Sequence, residues 1–213
     1  METEFAGWFG PGAEAISSYV DILRTRGLEW GLLGPREGER LWQRHVLNSV
    51  AGAGLFPRAA SVVDVGSGAG LPGLPLAILR PDVKVTLLEP LARRASFLQL
   101  AVDELGLASQ VRVVRGRAED HRQQYQVVTS RAVAALPKLL PWCLHVLAPG
   151  GVILALKGES APSEVADSAP ALRSVGVTAA VHELRVPMVE DRTWVVEVRP
   201  LSSARAGSGR RRG

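Results

Sequence analysis

Short β-branched runs alternate with helical windows through the middle of the chain, and this alternation constrains the fold more than any other feature. The five runs are Val62 to Val65, Val83 to Leu88, Val111 to Val114, Val127 to Thr129 and Val152 to Leu156. Strands that alternate with helices form a parallel sheet whose two faces the helices cover. The middle of the chain is therefore predicted to be an α/β domain.

Two further β-rich runs follow without a helical window between them. They span Thr178 to Val186 and Thr193 to Val198, and residues 187–192 between them resemble a turn. We expect an antiparallel hairpin here. Five parallel strands with this hairpin give a seven-stranded, mostly parallel sheet, which differs from the all-parallel dinucleotide fold at its end.

The rest of the chain divides into an extension and a tail. Apolar residues recur at helical intervals in two segments between Ala13 and Leu55, and Pro35 suits the first turn of the second segment. We predict an N-terminal helical extension over residues 1–58, an α/β domain over 59–200 and a basic, disordered tail over 201–213. The tail holds four arginines and no acid, so the rest of the chain balances 21 basic against 21 acidic residues.

Composition excludes several classes of protein. No window approaches the roughly 20 apolar residues that cross a bilayer. The lone Cys143 cannot form an internal disulfide, and no cysteine and histidine cluster has metal-ligand spacing. Two acids near the N-terminus replace the basic start of a secretory signal. We expect a cytoplasmic protein, acting as a monomer, without a membrane or a metal.

A glycine-rich turn follows the first predicted strand and holds the strongest candidate site. In this turn Gly66, Gly68 and Gly70 follow a strand that contains Asp64. Glycine lets a ligand approach the backbone, and the next helix start offers free N–H groups. The candidate ligand-binding residues here are Asp64, Gly66, Ser67, Gly68, Gly70, Leu71 and, at the end of the second strand, Glu89.

Two cofactors fit this pattern. Residues 68–73 satisfy the G-x-G-x-x-G spacing of a dinucleotide site, with Glu89 at a suitable distance for a ribose. An acid at Asp64 favours a cationic ligand, however, and would repel a pyrophosphate. S-adenosylmethionine, with its sulfonium and amino groups, is therefore the better fit.

Further candidates lie at later strand ends. Ala118 and Glu119 follow the third strand and can meet an adenine, or form a solvated loop. Arg131 ends the fourth strand; it stays protonated and can hold a phosphate or a guanine edge, or form a structural ion pair. Lys157 ends the fifth strand and can meet a substrate phosphate, or be an ordinary lysine at a strand end.

The second N-terminal helix carries a last group of candidates. Arg36, Arg40 and Arg44 repeat every four residues, which predicts a stripe that is either a solvated face or an RNA-binding face. His45 and Asn48 lie one turn apart on the same helix, and a buried structural histidine is an alternative for His45. Trp194 is expected to pack in the sheet.

In combination, these motifs resemble one known family, the bacterial 16S ribosomal RNA guanine-N7 methyltransferases RsmG, also called GidB. The resemblance covers about residues 31–199. Its motifs are Arg44-His45-Val-Leu-Asn48-Ser49, the block from Val63 to Gly73, Leu88-Glu89-Pro90-Leu91 with Arg93-Arg94, Arg117-Ala118-Glu119, Ser130-Arg131-Ala132 and Leu156-Lys157-Gly158.

The resemblance implies a class I (Rossmann-like) methyltransferase fold, S-adenosylmethionine as methyl donor, and a guanine of 16S ribosomal RNA or the small ribosomal subunit as acceptor. Cofactor contacts are implied for Gly66, Leu71, Ala118, Glu119 and Arg131, with Glu89, Pro90 and Leu91 near the ribose. Guanine N7 carries no proton, so no general base is expected. A NAD-dependent oxidoreductase and a noncatalytic RNA-binding adaptor stay open as alternatives.

Overall fold

A seven-stranded sheet forms the centre of the molecule in a computed structural model, which describes residues 2–34, 37, 40–186, 189 and 192–201. The strands lie in the order β3-β2-β1-β4-β5-β7-β6. Their bounds are β1 Ser61–Val65, β2 Lys84–Glu89, β3 Val111–Arg115, β4 Tyr125–Arg131, β5 Leu147–Lys157, β6 Val177–Arg185 and β7 Arg192–Pro200. The predicted α/β class and the seven strands are confirmed.

Strand directions also match the prediction. Neighbours among β1 to β5 pair in parallel, whereas β7 pairs antiparallel with both β5 and β6. The chain builds outward from β1 through β2 to β3, then crosses back to place β4 on the other side of β1. This reversal creates a switch point at the carboxyl ends of β1 and β4, where open α/β sheets bind ligands.

Helices cover both faces of the sheet. Neighbouring residues on β1 face opposite sides, so Val62 packs with the cluster of Leu74 and Phe97, and Val63 packs with the cluster of Leu139. Because both faces are buried, the central strands consist of continuous apolar runs. The helices after β1 are α4 Gly73–Leu79, α5 Ala92–Glu104, α6 Leu136–His145, α7 Ala161–Asp167 and α8 Ala169–Ser174.

The N-terminal helices pack into the same hydrophobic cluster as one face of the sheet. They are α1 Glu2–Gly7, α2 Ala13–Ile22 with a π-helical continuation Leu23–Gly27, and a π-helical stretch Leu41–Leu47 that runs into α3 Asn48–Val50. The sequence prediction began the helices at Ala13 and missed α1. Apolar Phe5 and Ala6 bury α1 against its neighbours, but six residues are too few for a clear helical periodicity.

The predicted arginine stripe is not confirmed. The second N-terminal helix begins at Leu41, and Arg40, in a 3₁₀ turn directly before it, has φ −112° and ψ 9°, outside the α-helical region. Arg40 and Arg44 therefore do not lie four positions apart within one regular α-helix, as the predicted stripe requires. Arg36 and Pro35 lie outside the described residues.

Two features expected from composition can be compared with the fold. Within the described ranges, none of the helices combines the length and apolar character that crossing a bilayer requires. Cys143 is a free, buried thiol on α6, and burial raises its pKa to about 12. The predicted tail, apart from Leu201, lies outside the described residues.

Candidate cofactor and substrate site

The turn after β1, residues 66–73, is called the glycine loop here. Its backbone needs glycine for two reasons. Gly66, Gly68 and Gly70 have φ values of +72°, +58° and +99°, a region that other residues rarely adopt. A Cβ on Gly73 would lie 2.4 Å from Leu87 Cδ2, so a side chain there would clash with β2. The loop therefore leaves bare backbone at the switch point.

Asp64 lies beneath the glycine loop and is fully buried. Its Oδ2 accepts a hydrogen bond from the Gly73 N–H at 3.1 Å, while its Oδ1 is buried and has no hydrogen-bond partner among the described residues. Burial raises the pKa of Asp64 to about 7, opposed by the hydrogen bond from Gly73. The carboxyl thus has one oxygen left to accept a hydrogen bond from a ligand or a water.

Glu89 links the end of β2 to the glycine loop. Its Oε2 accepts the Gly68 N–H at 2.9 Å, and its Oε1 accepts the Leu91 N–H at 3.0 Å. The residue is buried, yet each carboxylate oxygen keeps a second acceptor position. Glu89 can therefore hold the glycine loop and accept hydrogen bonds from ligand hydroxyl groups at the same time.

A cavity of about 170 Å³ opens beside the glycine loop. It brings together four residues predicted from the sequence, namely Gly66, Pro90, Ala118 and Glu119. Its other lining residues are Val65, Leu88, Gly116, Arg117, Val133 and Trp142. Mostly apolar walls with a carboxylate at the edge suit a flat heteroaromatic base that carries an amino group.

The other predicted cofactor residues support the loop or lie at its rim. Ser67 is buried, and its Oγ donates a hydrogen bond to the Asp64 carbonyl at 2.8 Å. Leu71 is half-buried against the hydrophobic core. Leu91 is exposed just past Glu89.

A second, larger cleft of about 620 Å³ lies at the same edge of the sheet. Among the described residues, its charged lining comprises four cationic side chains and one carboxylate, that of Glu159. The lining residues are Arg44, Asn48, Arg131, Ala132, Leu156, Lys157, Gly158, Glu159, Arg192, Thr193 and Trp194. The cleft therefore carries a positive charge suited to an anionic substrate.

Arg131 fixes the N-terminal helix against the end of β4. Its guanidinium donates hydrogen bonds to the carbonyls of Arg44 and His45 at 2.8 and 2.9 Å, to Ser49 Oγ at 3.0 Å and to His45 Nδ1 at 3.0 Å. Burial lowers the pKa of Arg131 from its usual value. His45 Nε2 contacts Glu37 Oε2 at 2.6 Å, so a neutral His45 bridges two charged groups.

The remaining substrate candidates are also placed by hydrogen bonds. Asn48 Oδ1 accepts a hydrogen bond from Thr193 Oγ1 at 2.8 Å, which joins the N-terminal helix to β7. Lys157 Nζ contacts Glu164 Oε1 and the Ala134 carbonyl, each at 2.8 Å. Arg40 is exposed before the helix and is outside the set of cleft-lining residues.

Comparison with known proteins agrees with this geometry. A profile of the GidB family, described as rRNA small subunit methyltransferase G, matches residues 13–191. A ribosomal RNA small subunit methyltransferase G of Salinispora arenicola is 47% identical over 221 residues, covering 95% of this chain and 91% of that protein. Another protein of the same name, from Mycobacterium avium, is 54% identical over 165 residues, which cover 75% of this chain and 66% of that protein. The chain belongs to this family.

Solved structures with low sequence identity confirm the fold of this family member. An O-methyltransferase from neocarzinostatin biosynthesis, solved with S-adenosylmethionine and a naphthoic acid, superposes with a TM-score of 0.62 at 19% identity, covering 90% of this chain and 70% of that one. A precorrin-6y C5,15-methyltransferase of Geobacter metallireducens superposes with a TM-score of 0.52 at 14% identity, covering 72% of this chain and 86% of that one. The chain has the Rossmann-like fold of S-adenosylmethionine-dependent methyltransferases.

Some residues of this GidB-family site were not predicted. Trp194 pairs with Lys157 across β5 and β7 and lines the cleft, whereas the sequence indicated sheet packing only. Tyr19 on α2 is fully buried and donates a hydrogen bond from its hydroxyl to the Ala69 carbonyl in the glycine loop at 2.8 Å. Burial and the charge of Asp64 raise the pKa of Tyr19 well above its usual value, so the hydroxyl keeps its proton.

Replacing Tyr19 with phenylalanine tests whether the N-terminal helices support the glycine loop and, through it, cofactor binding. We expect the affinity for S-adenosylmethionine to fall about 5- to 10-fold, because the loss of one buried hydrogen bond costs about 1 kcal/mol and frees the loop. Titration calorimetry measures this affinity. Tyr125→Phe is the matched control, since the Tyr125 hydroxyl contacts His121 at 3.0 Å where β4 begins, and its affinity should stay unchanged.

Proposed function

We propose that this protein transfers a methyl group from S-adenosylmethionine to N7 of a guanine in small-subunit ribosomal RNA. The single observation that carries the proposal is the meeting of two sites at one sheet edge. Val133 lines the cavity beside Gly66, and the adjacent Ala132 lines the positively charged cleft. A donor bound in the cavity and a nucleotide bound in the cleft would face each other across these two residues.

The residues beside the glycine loop fit S-adenosylmethionine. Gly66 and Pro90 leave room at the cavity wall, Glu89 can accept hydrogen bonds from ribose hydroxyls, and the exposed Glu119 can meet the adenine amino group. The free oxygen of Asp64 suits a cationic group. When bound, the cofactor supplies an electrophilic methyl group on a sulfonium.

The charge of the cleft fits RNA. Arg44 and Arg192 have half-exposed side chains whose carboxylate partners, Glu37 and Glu183, lie 3.8 and 2.7 Å away. Such exposed ion pairs are weak, so these arginines can exchange their partners for phosphates. Trp194 adds an aromatic surface in the same cleft, and single-stranded bases stack on aromatic side chains.

Methylation at guanine N7 requires little of the protein beyond positioning. N7 has a lone pair in the ring plane and no proton, so the reaction needs no general base. The chain's residues must hold the base in line with the donor and exclude other orientations, and such alignment can contribute about 7–11 kcal/mol to lowering a barrier. The cleft lining fits this requirement, because its charged groups among the described residues are four cations and one exposed carboxylate.

The glycine loop fits a NAD-dependent oxidoreductase less well. The Gly73 N–H, which begins α4, donates to the Asp64 carboxylate. A dinucleotide pyrophosphate at this helix start would therefore meet a buried acid. A noncatalytic RNA-binding adaptor would not require the paired sites described above.

One experiment separates these functions. Purified protein is incubated with small-subunit RNA and tritiated S-adenosylmethionine, and the product is mapped by chain cleavage at N7-methylguanine. We expect label at one guanine and cleavage at that site. Binding of RNA and S-adenosylmethionine without transfer would indicate an adaptor, and calorimetric binding of NAD alone would indicate an oxidoreductase.

Replacing Glu159 with glutamine tests the chemistry of the acceptor atom. Glu159 is the one carboxylate among the described cleft-lining residues, so it is the group there best suited to remove a proton. Because N7 has no proton, we expect kcat to change less than about 3-fold and the pH profile of kcat to keep its shape. A loss of 100-fold that follows an acidic ionisation would instead indicate methylation at an N–H or O–H group.

A further inference from the structure

A short loop separates the two sites. Residues 132–135 join β4 to α6 and are called the partition loop here. Ala132 lines the cleft, and Val133 lines the cavity. Val133 also lies directly over the glycine loop, because a Cβ on Gly66 would be 2.9 Å from Val133 Cγ2. A shift of this loop would change both sites together.

The partition loop includes a disfavoured backbone conformation. Ala132 has a φ of +54°, a left-handed backbone that alanine adopts rarely. Val133 is 37% exposed despite its apolar side chain, so it is only partly buried. Residues in disfavoured backbone conformations persist where the surrounding structure fixes them, and such positions cluster at functional sites.

Two charged side chains fix the partition loop from outside. Lys157, at the end of β5, donates a hydrogen bond to the Ala134 carbonyl at 2.8 Å. Glu164, on α7, accepts the Leu136 N–H at 2.6 Å. The two side chains also form an ion pair with each other at 2.8 Å, and their exposed fractions are only 11% and 19%. Together they hold the C-terminal end of the partition loop, where it enters α6.

We propose that the Lys157–Glu164 pair is a positioning device that sets the partition loop, and through it the alignment of the target base with the methyl donor. This inference rests on the proposed function and assigns Lys157 a role different from the phosphate contact predicted from the sequence. Lys157 acts on the loop carbonyl, and its charge is balanced by Glu164. Arg44 and Arg192, with more exposed side chains, are the cations of the cleft that meet RNA.

The two roles of Lys157 predict different effects when each partner is removed. If the pair positions the loop, Lys157→Met and Glu164→Ala both lower activity. If Lys157 binds phosphate, Glu164→Ala leaves the RNA affinity unchanged or increases it. Lys157→Met then lowers the slope of log affinity against log salt concentration by about 0.7, the value for one lost phosphate contact. Lys84→Met is the matched control, because Lys84 also donates to a carbonyl, that of Ser109 at 3.1 Å, but where β2 begins.

The test combines three measurements on the full chain. Hydrogen exchange of the Leu136 amide in the protein without ligands reports the loop directly. Methyl transfer to small-subunit RNA gives kcat and KM, and RNA binding at several salt concentrations gives the salt slope. We expect at least 10-fold faster exchange and at least 10-fold lower kcat in Lys157→Met and Glu164→Ala. KM and the salt slope should stay close to those of the Lys84→Met control. The melting temperature should fall, because each single variant leaves a largely buried charge without its partner, so kcat is normalised to the folded fraction.

The double variant should be no worse than either single variant, because the two side chains act as one unit. Unchanged exchange in both variants, or unchanged kcat despite faster exchange, overturns the inference, as does a reduced salt slope in Lys157→Met with full activity in Glu164→Ala. If the unmodified protein transfers no methyl group to the RNA, the proposed function fails. The exchange measurement then still decides whether the pair fixes the loop.

Discussion

Arg131→Ala is expected to lower methyl transfer at least about 100-fold while leaving a folded protein. The substitution removes a cation from the cleft and four hydrogen bonds that hold the helix of residues 41–50 beside it. Hydrogen bonds to charged groups contribute about 1.5–3 kcal/mol each, and about 1.4 kcal/mol corresponds to tenfold in rate. Steady-state kinetics with small-subunit RNA, normalised to the folded fraction, measure the effect.

Arg80 offers a matched control for Arg131. Its guanidinium donates to the carbonyls of Ala53, Phe56 and Pro57, so it also fixes the N-terminal segment, but at the opposite edge of the sheet. Arg80→Ala should reduce stability in a similar way and retain turnover per folded molecule. Equal activity losses in both variants would mean that Arg131 acts only through stability. Full activity in Arg131→Ala would reject its assignment to the site.

Glu89→Ala is expected to weaken binding of S-adenosylmethionine at least about 100-fold. The carboxylate accepts the backbone N–H groups of Gly68 and Leu91, so its loss leaves two donors unpaired at the cavity and removes the acceptor for the ribose. Glu89→Gln should bind more weakly than the unmodified protein, because its amide can accept at one oxygen only and places an NH₂ group against the other donor. Titration calorimetry gives both affinities.

Asp82→Ala is the control for Glu89. The Asp82 carboxylate also accepts a backbone N–H, that of Ala59 at 2.9 Å, but it lies at the opposite sheet edge. Its removal should cost stability and leave cofactor affinity unchanged. Affinity close to that of the unmodified protein in Glu89→Ala would contradict the placement of the cofactor at the end of β2.

Local sequence patterns were enough to predict the glycine loop and the strand ends. The backbone has positive φ at Gly66, Gly68 and Gly70. The spacing of these glycines in the sequence was therefore enough to predict the loop. Glu89, Ala118 and Glu119 follow predicted strands, and the carboxyl ends of parallel strands meet at one edge. Ala118 and Glu119 accordingly line the cavity beside Gly66, and Glu89 accepts a hydrogen bond from Gly68 in the glycine loop.

Long-range contacts were beyond the sequence patterns. The Tyr19 hydroxyl bonds to the glycine loop 50 positions away. The periodicity of α2 predicts that Tyr19 is buried, but it does not predict this hydrogen bond. Periodicity also suggested a helix through Arg36 and Arg40, whereas the backbone of Arg40 lies outside the α-helical region and the helix begins at Leu41. Periodicity reports which face is apolar, but helix ends depend on how the segment packs.

The sequence by itself determined the class of fold, the order of its strands along the chain and the position of the glycine loop, because these depend on local periodicity and on glycines that the loop backbone requires. Only the tertiary structure decided which partners Arg131, Lys157 and Glu164 have. Those contacts join residues from separate elements, and Arg131 contacts a helix 86 positions away. They form only after the helices pack against the sheet, because residues far apart in the chain meet only in the packed fold.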